Sequence, residues 1–314
     1  MKRLSAALLA ALLLLSGCRQ DPAAEDKLHI LATTYPVYLF TTAVTEGIEG
    51  VEVSLLVNSQ TSCLHDYALT VDNMKAIEGA DVIVMNGAGL EDFMADALEQ
   101  SDGLVIDCSE GIGLLPTLEH QGHDGHDHEE DYDPHFWMEP RRAALMVYQI
   151  ADGLSALDEG HEDRYRTNAI LTYDAMGGTV QDADIAQLMT AQVTGGSLSL
   201  TDVCAANQLI TFHDGFQYFA DAFGLDLLKA IEEEEGSTAS AAEIKEITAL
   251  IQEYDIPAIF VEKNGSRATA EVIARETGCA VYELDMLMSG EGAGIQPYLD
   301  AMNANITTIR EALL

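Results

Sequence analysis

Two patterns alternate along the chain. Short apolar runs, LHILATT (28–34), VEVSLLV (51–57), DVIVMNG (81–87) and GLVIDCS (103–109), are bounded by Gly, Asn, Asp or Ser and read as buried strands. Between them PVYLFTTAVTEGI (36–48), TVDNMKAIEGA (70–80) and GLEDFMADALEQS (89–101) place apolar residues every three to four positions, the period of a helix. The rhythm restarts with the strands QLITFHD (208–214), IPAIFVE (256–262) and CAVYELD (279–285). Among these lie the helices FQYFADAFG (216–224), SAAEIKEITALIQEYD (240–255) and SRATAEVIARETG (266–278). Strands alternating with helices predict an α/β fold of two lobes, each a mainly parallel sheet flanked by helices. The stretch from Glu139 to Gln192 has helical spacing and no convincing strand, so a long connecting helix is the simplest link between lobes. Gly177 and Gly178 interrupt it, each weakening a helix by about 1 kcal/mol relative to alanine. The expected divisions are an N-terminal lobe over 28–158, a connecting helix over 159–194 and a C-terminal lobe over 195–314, with the cleft between lobes as the ligand site.

The first residues follow neither pattern. Lys2 and Arg3 precede an apolar run from Ala6 to Leu15, which is too short to span a bilayer and has the charged start of an export signal. Its end, Leu15-Ser16-Gly17-Cys18, resembles a bacterial lipobox, in which the cysteine is lipidated and becomes the new N-terminus. Residues 1–17 are therefore expected to be a lipoprotein signal peptide, Cys18 a lipid anchor and 18–27 a polar tether. The alternative is an ordinary cleaved signal with an incidental cysteine. Charge sharpens the picture: 53 acidic against 15 basic residues give a formal net charge of −38. That balance argues against nucleic acid and against anionic lipid beyond the anchor itself, and suits an extracytoplasmic protein that meets cations.

Four further cysteines, Cys63, Cys108, Cys204 and Cys279, contain no CxxC pair, which argues against a thiolate zinc knuckle. Cys63 could pair with Cys108, since both follow predicted strand ends, or stay a thiol that competes as a ligand. The histidines are more informative. Open α/β sheets bind ligands outside the carboxyl ends of their strands. His65 lies just beyond VEVSLLV, His213 ends LITFHD and Asp285 ends CAVYELD, whereas His135 follows Asp133-Pro134 before a helix that Pro140 helps to start. Each histidine alone could be an ordinary loop residue; their joint placement is the signal. Imidazole nitrogens suit zinc, copper, nickel and iron, and three histidines with one carboxylate would form a tetrahedral zinc site. Ligands drawn from both lobes would make closure and binding one event.

Several blocks then point the same way: Pro36 within TTYPVY; Cys63-Leu64-His65-Asp66-Tyr67 followed by DNMKAIEGADVIVMNGAGLE; Asp133-Pro134-His135-Phe136-Trp137-Met138; ITFHDGFQYFADAFGL; IFVEKNGS with AEVIARETG; and ELDMLMSG followed by YLDAMNANI. In this order, over nearly the whole mature chain, they resemble the metal-binding solute-binding lipoproteins of bacterial ABC importers, on their zinc-specific branch. The resemblance implies Zn2+ held by His65, His135, His213 and Asp285 between two lobes joined by a rigid long helix. It further implies a monomer anchored to the outer face of the cytoplasmic membrane, with an importer permease and its ATPase as partners. Members selecting manganese tend to carry a glutamate where His213 stands, so the histidine favours zinc; manganese or iron is the alternative cargo. The segment 181–206 follows no family pattern.

The run HQGHDGHDHEEDYDPHFW (120–137) holds five histidines. His120, His123, His126 and His128 share the stretch 119–132 with glycines and carboxylates, a composition suited to a hydrated loop. Their imidazoles would be mostly neutral at pH 7 and able to bind zinc weakly. Zinc-binding members of the family carry a histidine-rich loop here, which implies a collector or sensor of zinc beside the tight site; the alternative is a solvated linker. Thus His135 is expected to hold the metal and the four upstream to attract it. A zinc hydrolase is the rival from another class, but His128 is followed by EEDY and His161 by EDRY, so no HExxH exists, nor any GxSxG. Asp285 would also close the position a catalytic zinc leaves open. The expectation is a binding protein and not an enzyme; a surface lipoprotein that scavenges metal without an importer is a further alternative. Glu262, at the end of IPAIFVE, reads as solvated or paired with a neighbour and receives no role.

Overall fold

The computed structural model describes residues 27–58, 64, 67–118, 132–178, 191, 193–194, 200, 204–230, 239–263 and 265–314. The first sheet contains β1 (Leu28–Ala32), β2 (Val51–Leu55), β3 (Val82–Met85) and β4 (Leu104–Asp107) in the order β2-β1-β3-β4. The second contains β5 (Gln208–Thr211), β6 (Asp226–Ala230), β7 (Ala258–Glu262) and β8 (Ala280–Leu284) in the order β6-β5-β7-β8. All pairings are parallel. Both orders reverse beside their first strand, so each lobe has a switch point at the carboxyl ends of a central pair, β1 with β3 and β5 with β7.

The seven expected strands all form. The additional strand, β6, has the sequence DLLKA, is only partly buried and pairs irregularly with β5 between Leu209 and Ile210. An edge strand packed on one side lacks the continuous apolar run that marks a buried one. In the first lobe, α1 (Tyr35–Val44) and α2 (Val71–Glu78) match their expected spans, and Thr70 with Asn73 forms a reciprocal cap on α2. The helix expected over 89–101 shrinks to a 3-10 turn at Asp92–Met94 and α3 (Ala95–Leu98). Gly87, Ala88 and Gly89 all have positive φ, at 83°, 54° and 82°, which an α-helix cannot include.

Beyond the 3-10 turn at Phe136–Met138, α4 (Pro140–Leu157) and α5 (Glu162–Gly178) pack on each other and on α1. Asn168 of α5 donates to the carbonyls of Val44 and Glu46 at the end of α1, satisfying acceptors that a helix terminus leaves open. The described part of the expected connecting helix therefore packs with the first lobe; residues 179–190 lie outside the described residues. The second lobe adds α6 (Gln217–Phe223), α7 (Ala241–Tyr254), α8 (Ala268–Thr277) and α9 (Gln296–Leu313).

One apolar core crosses from the first sheet through α4 to β8 and α9. A second fills the opposite face of the β5–β8 sheet under α7 and α8, because alternate strand residues point to opposite faces. Between lobes, Trp137 is fully buried; its indole N–H donates to the Met286 carbonyl at 2.9 Å, while its own carbonyl accepts from the Tyr298 hydroxyl at 3.0 Å. The Tyr298 ring also meets Phe40 of α1 edge-on at 5.2 Å. Cys108, Cys204 and Cys279 are free thiols. Cys108 is fully buried; the pairing considered from sequence falls on Cys63, which lies outside the described residues. Burial, with Asp107 and Glu91 nearby, holds the Cys108 thiol well above its ordinary range and so makes it a poor nucleophile.

The first lobe's switch point is closed by Glu91, which is 2 % exposed. Its Oε1 accepts from Thr33 Oγ1 at 2.6 Å and Asn86 N at 2.8 Å, and its Oε2 from Gly87 N at 3.0 Å, so one carboxyl ties the ends of β1 and β3. Burial pushes its pKa up to about 7. The unfolded chain would ionise nearer pH 4.5, so the stability this group contributes is fully present below that pH and declines as pH rises through 7. Metal-stripped Glu91→Ala should melt about 5 °C below the wild type at pH 5, because buried N–H groups lose their acceptor. The gap should narrow towards pH 8; circular-dichroism melts showing a gap that widens with pH would contradict this assignment.

Candidate metal centre

The second lobe's switch point lies between β5 and β7. Thr211 pairs with Phe260, so two residues further on His213 and Glu262 leave neighbouring strands side by side. The Glu262 carboxylate Oε1 lies 3.9 Å from His213 Nε2, and the two residues are 7 % and 5 % exposed. Thr211 Oγ1 donates to the His213 carbonyl at 2.6 Å, fixing the chain as it leaves the strand. The other ring nitrogen, Nδ1, lies 2.7 Å from Asp214 Oδ1.

His135 reaches the same point on a segment held from both lobes. The Asn86 carboxamide, at the end of β3, donates to the Pro134 carbonyl at 2.9 Å, and the Tyr218 hydroxyl of α6 donates to the Asp133 carbonyl at 2.8 Å. Asp133 Oδ1 accepts from the His135 backbone N–H and lies 2.8 Å from its Nδ1. Both residues are 3 % exposed. The His135 and His213 ring centroids are 5.2 Å apart with planes at 81°. Gly215 permits this approach, since a side chain there would run into the Met286 thioether and stand 3.1 Å from His135 Cδ2.

The chemistry follows from the ring nitrogens. On each histidine Nδ1 meets a carboxylate, which favours the tautomer with its proton on Nδ1 and a lone pair on Nε2. Such a carboxylate also fixes ring orientation and raises the basicity of Nε2, the arrangement seen behind metal-ligating histidines. With the Glu262 carboxylate beside it, the donor set is nitrogen and oxygen without thiolate, which fits zinc.

Asp285 is placed differently. Glu262 pairs with Leu284, so the next residues, Lys263 and Asp285, face each other across β7 and β8. Asp285 Oδ2 lies 2.8 Å from Lys263 Nζ, and Oδ1 accepts from Leu287 N at 2.8 Å. The Asn305 side chain accepts from the Asp285 N–H and donates to its carbonyl. The structure thus brings together His135 and His213, adds Glu262, and turns Asp285 towards Lys263. Among the described residues no three His, Cys, Asp or Glu side chains form a ready cluster for a metal ion. His65, His120, His123, His126 and His128 lie outside the described residues.

Glu262 is the site residue that the sequence reading passed over. It ends a strand as His213 and Asp285 do, and the same strand-end rule could have raised it; what was missing was the sheet order that makes β7 the neighbour of β5. Among the described residues no helix is long and apolar enough to cross a membrane.

The family model described as zinc-uptake complex component A, periplasmic (ZnuA), matches residues 30–312. The zinc-binding lipoprotein AdcA of Streptococcus pneumoniae is 28% identical, over 99% of this chain and 61% of its own length. The chain therefore spans about three fifths of that relative. The high-affinity zinc uptake system protein ZnuA of Bacillus subtilis is 27% identical, over 92% of this chain and 88% of its own length. Among solved structures, the laminin binding protein Lmb of Streptococcus agalactiae, described as bifunctional with adhesin and metal transporting activity, aligns with a TM-score of 0.72 at 25% identity, covering 91% of this chain and all of that one. With both lobes and the strand-end histidines inside the matched span, the chain belongs to the ZnuA family of periplasmic zinc-uptake components.

Proposed function

We propose that this chain captures zinc outside the cytoplasmic membrane and passes it to an ABC-type importer, a permease with its ATPase. The observation that carries the reading is the pair of buried imidazoles 5.2 Å apart, each with Nδ1 on a carboxylate. With Nδ1 engaged, each ring keeps Nε2 as its lone-pair nitrogen, and the Glu262 carboxylate 3.9 Å from His213 Nε2 adds negative charge, a donor set that a divalent cation takes. The names of the AdcA and ZnuA relatives support zinc as that cation.

The ligand set in this reading is His65, His135, His213 and Asp285, with the Glu262 carboxylate lowering the energy of a dication beside His213. His120, His123, His126 and His128 gather zinc at lower affinity. Cys18 anchors a monomeric chain to the outer face of the membrane. The work is capture and release, with no covalent step.

In competition titrations of chelator-stripped protein, His135→Ala and His213→Ala should each weaken zinc binding by more than about 100-fold, and Asp133→Ala, acting through His135, by about 10–100-fold. Wild-type affinity in either histidine variant would overturn the site. Deleting residues 119–130 should remove weaker equivalents of zinc in calorimetry and leave the tightest unchanged; loss of the tightest equivalent would contradict the division between collector and site. Zinc should also bind more tightly than manganese, with His213→Glu shifting the preference towards manganese. Tighter manganese binding by the wild type would assign the protein a different cargo.

A further inference from the structure

The cation already in contact with Asp285 is Lys263, and nothing in the metal-capture reading gives it a part. Asp285 has little freedom. Asn305 clasps its backbone at both N–H and carbonyl, with distances of 2.8 and 2.7 Å, from a position on α9 that is itself 2 % exposed. Oδ1 caps the following turn through Leu287 N, whose residue adopts a left-handed φ of 63°. Only Oδ2 can change partner, and it holds Lys263 Nζ at 2.8 Å. The lysine is the free-moving member of the pair: its side chain is 58 % exposed against 21 % for Asp285.

Lys263 is also fixed in register. Its backbone N–H donates to the Leu284 carbonyl at 2.8 Å, which extends the β7–β8 ladder by one step and sets the ammonium opposite Asp285. Glu262, one residue earlier, points to the other face and towards His213. Two adjacent residues thus do opposite things: Glu262 attracts a cation to the histidines, and Lys263 occupies the carboxylate that would complete its coordination.

We infer that Lys263 is an internal competitor for Asp285, an affinity-setting residue whose ammonium must leave Oδ2 before an incoming divalent cation can take it. The inference rests on the metal-capture reading above. In the metal-free protein the ion pair keeps Asp285 neutralised; on binding, the ammonium swings into solvent, repelled by the dication. On release it recaptures the carboxylate, so the tight state is weakened by a group that travels with the site and needs no external trigger. An exposed ammonium–carboxylate pair is weak, so it sets affinity without blocking binding.

The test is a mutant cycle on the full chain, with zinc alone as ligand and competition against a chelator of known affinity as readout. Lys263→Met should tighten zinc binding by about twofold to fivefold, the size expected from loss of one exposed ion pair. Lys263→Arg, which keeps the pair, should stay within about twofold of the wild type. In an Asp285→Asn background, Lys263→Met should have no further effect. Unchanged or weaker binding by Lys263→Met would overturn the inference. So would equal tightening in the Asp285→Asn background, which would mark a long-range charge effect. The His213→Ala variant separates the two levels: wild-type zinc affinity there would sink the metal-capture reading itself, whereas a weakened His213→Ala beside an inert Lys263→Met would sink only the role of Lys263.

Discussion

A buried imidazole must have its N–H satisfied, and this structure meets that requirement twice at one point. Asp133 does it for His135 and Asp214 for His213, each at under 3 Å from Nδ1. Both carboxylates are near neighbours in sequence of the rings they serve, so the pairing is local and survives any adjustment of the lobes. It decides which nitrogen each ring presents, and thereby what the site can bind. The rest of the local structure serves that presentation. Glu91 holds the ends of β1 and β3, Asn86 reaches from there to Pro134, and Tyr218 approaches the same segment from the second lobe.

The lobes are fastened as well as facing. Trp137 links the turn that follows His135 to the residue that follows Asp285, and Tyr298 with Phe40 carries the same core onto α1 and α9. Separating the lobes would expose these rings and orphan the indole N–H, a large unfavourable term for groups this deeply buried. Joint closure of the lobes, expected from ligands on both sides, is therefore less economical than movement of side chains at the strand ends. The Lys263–Asp285 pair sits where such movement is easiest, at the solvent-facing edge of the second sheet.

Much of this was legible in the chain. The strands β3 and β7 announce themselves as apolar runs because both their faces are buried, while β6 does not because an edge strand needs only one apolar face. The helix expected around Glu91 fails for a reason local spacing could not weigh: three consecutive positive-φ residues place that carboxyl against backbone N–H groups. His213 and Asp285 were found from their positions after strands, and His135 from its Asp-Pro setting and the family resemblance. Glu262 needed the strand order, which no single strand encodes. The bond between Lys263 and Asp285 needed the register of two strands separated by α8. Cys63 and Cys108 both follow predicted strand ends, which raised a pairing; the structure shows Cys108 buried in the core, and Cys63 lies outside the described residues.

The most direct test of the account is to locate the metal in zinc-loaded crystals by anomalous scattering at the zinc edge. The account requires one strong peak between the lobes, bonded to Nε2 of both His135 and His213 at about 2.0–2.1 Å, the usual zinc–imidazole distance. A peak bonded through Nδ1, or one that leaves His135 and His213 untouched, would contradict the claim that Asp133 and Asp214 prepare these two rings for the metal.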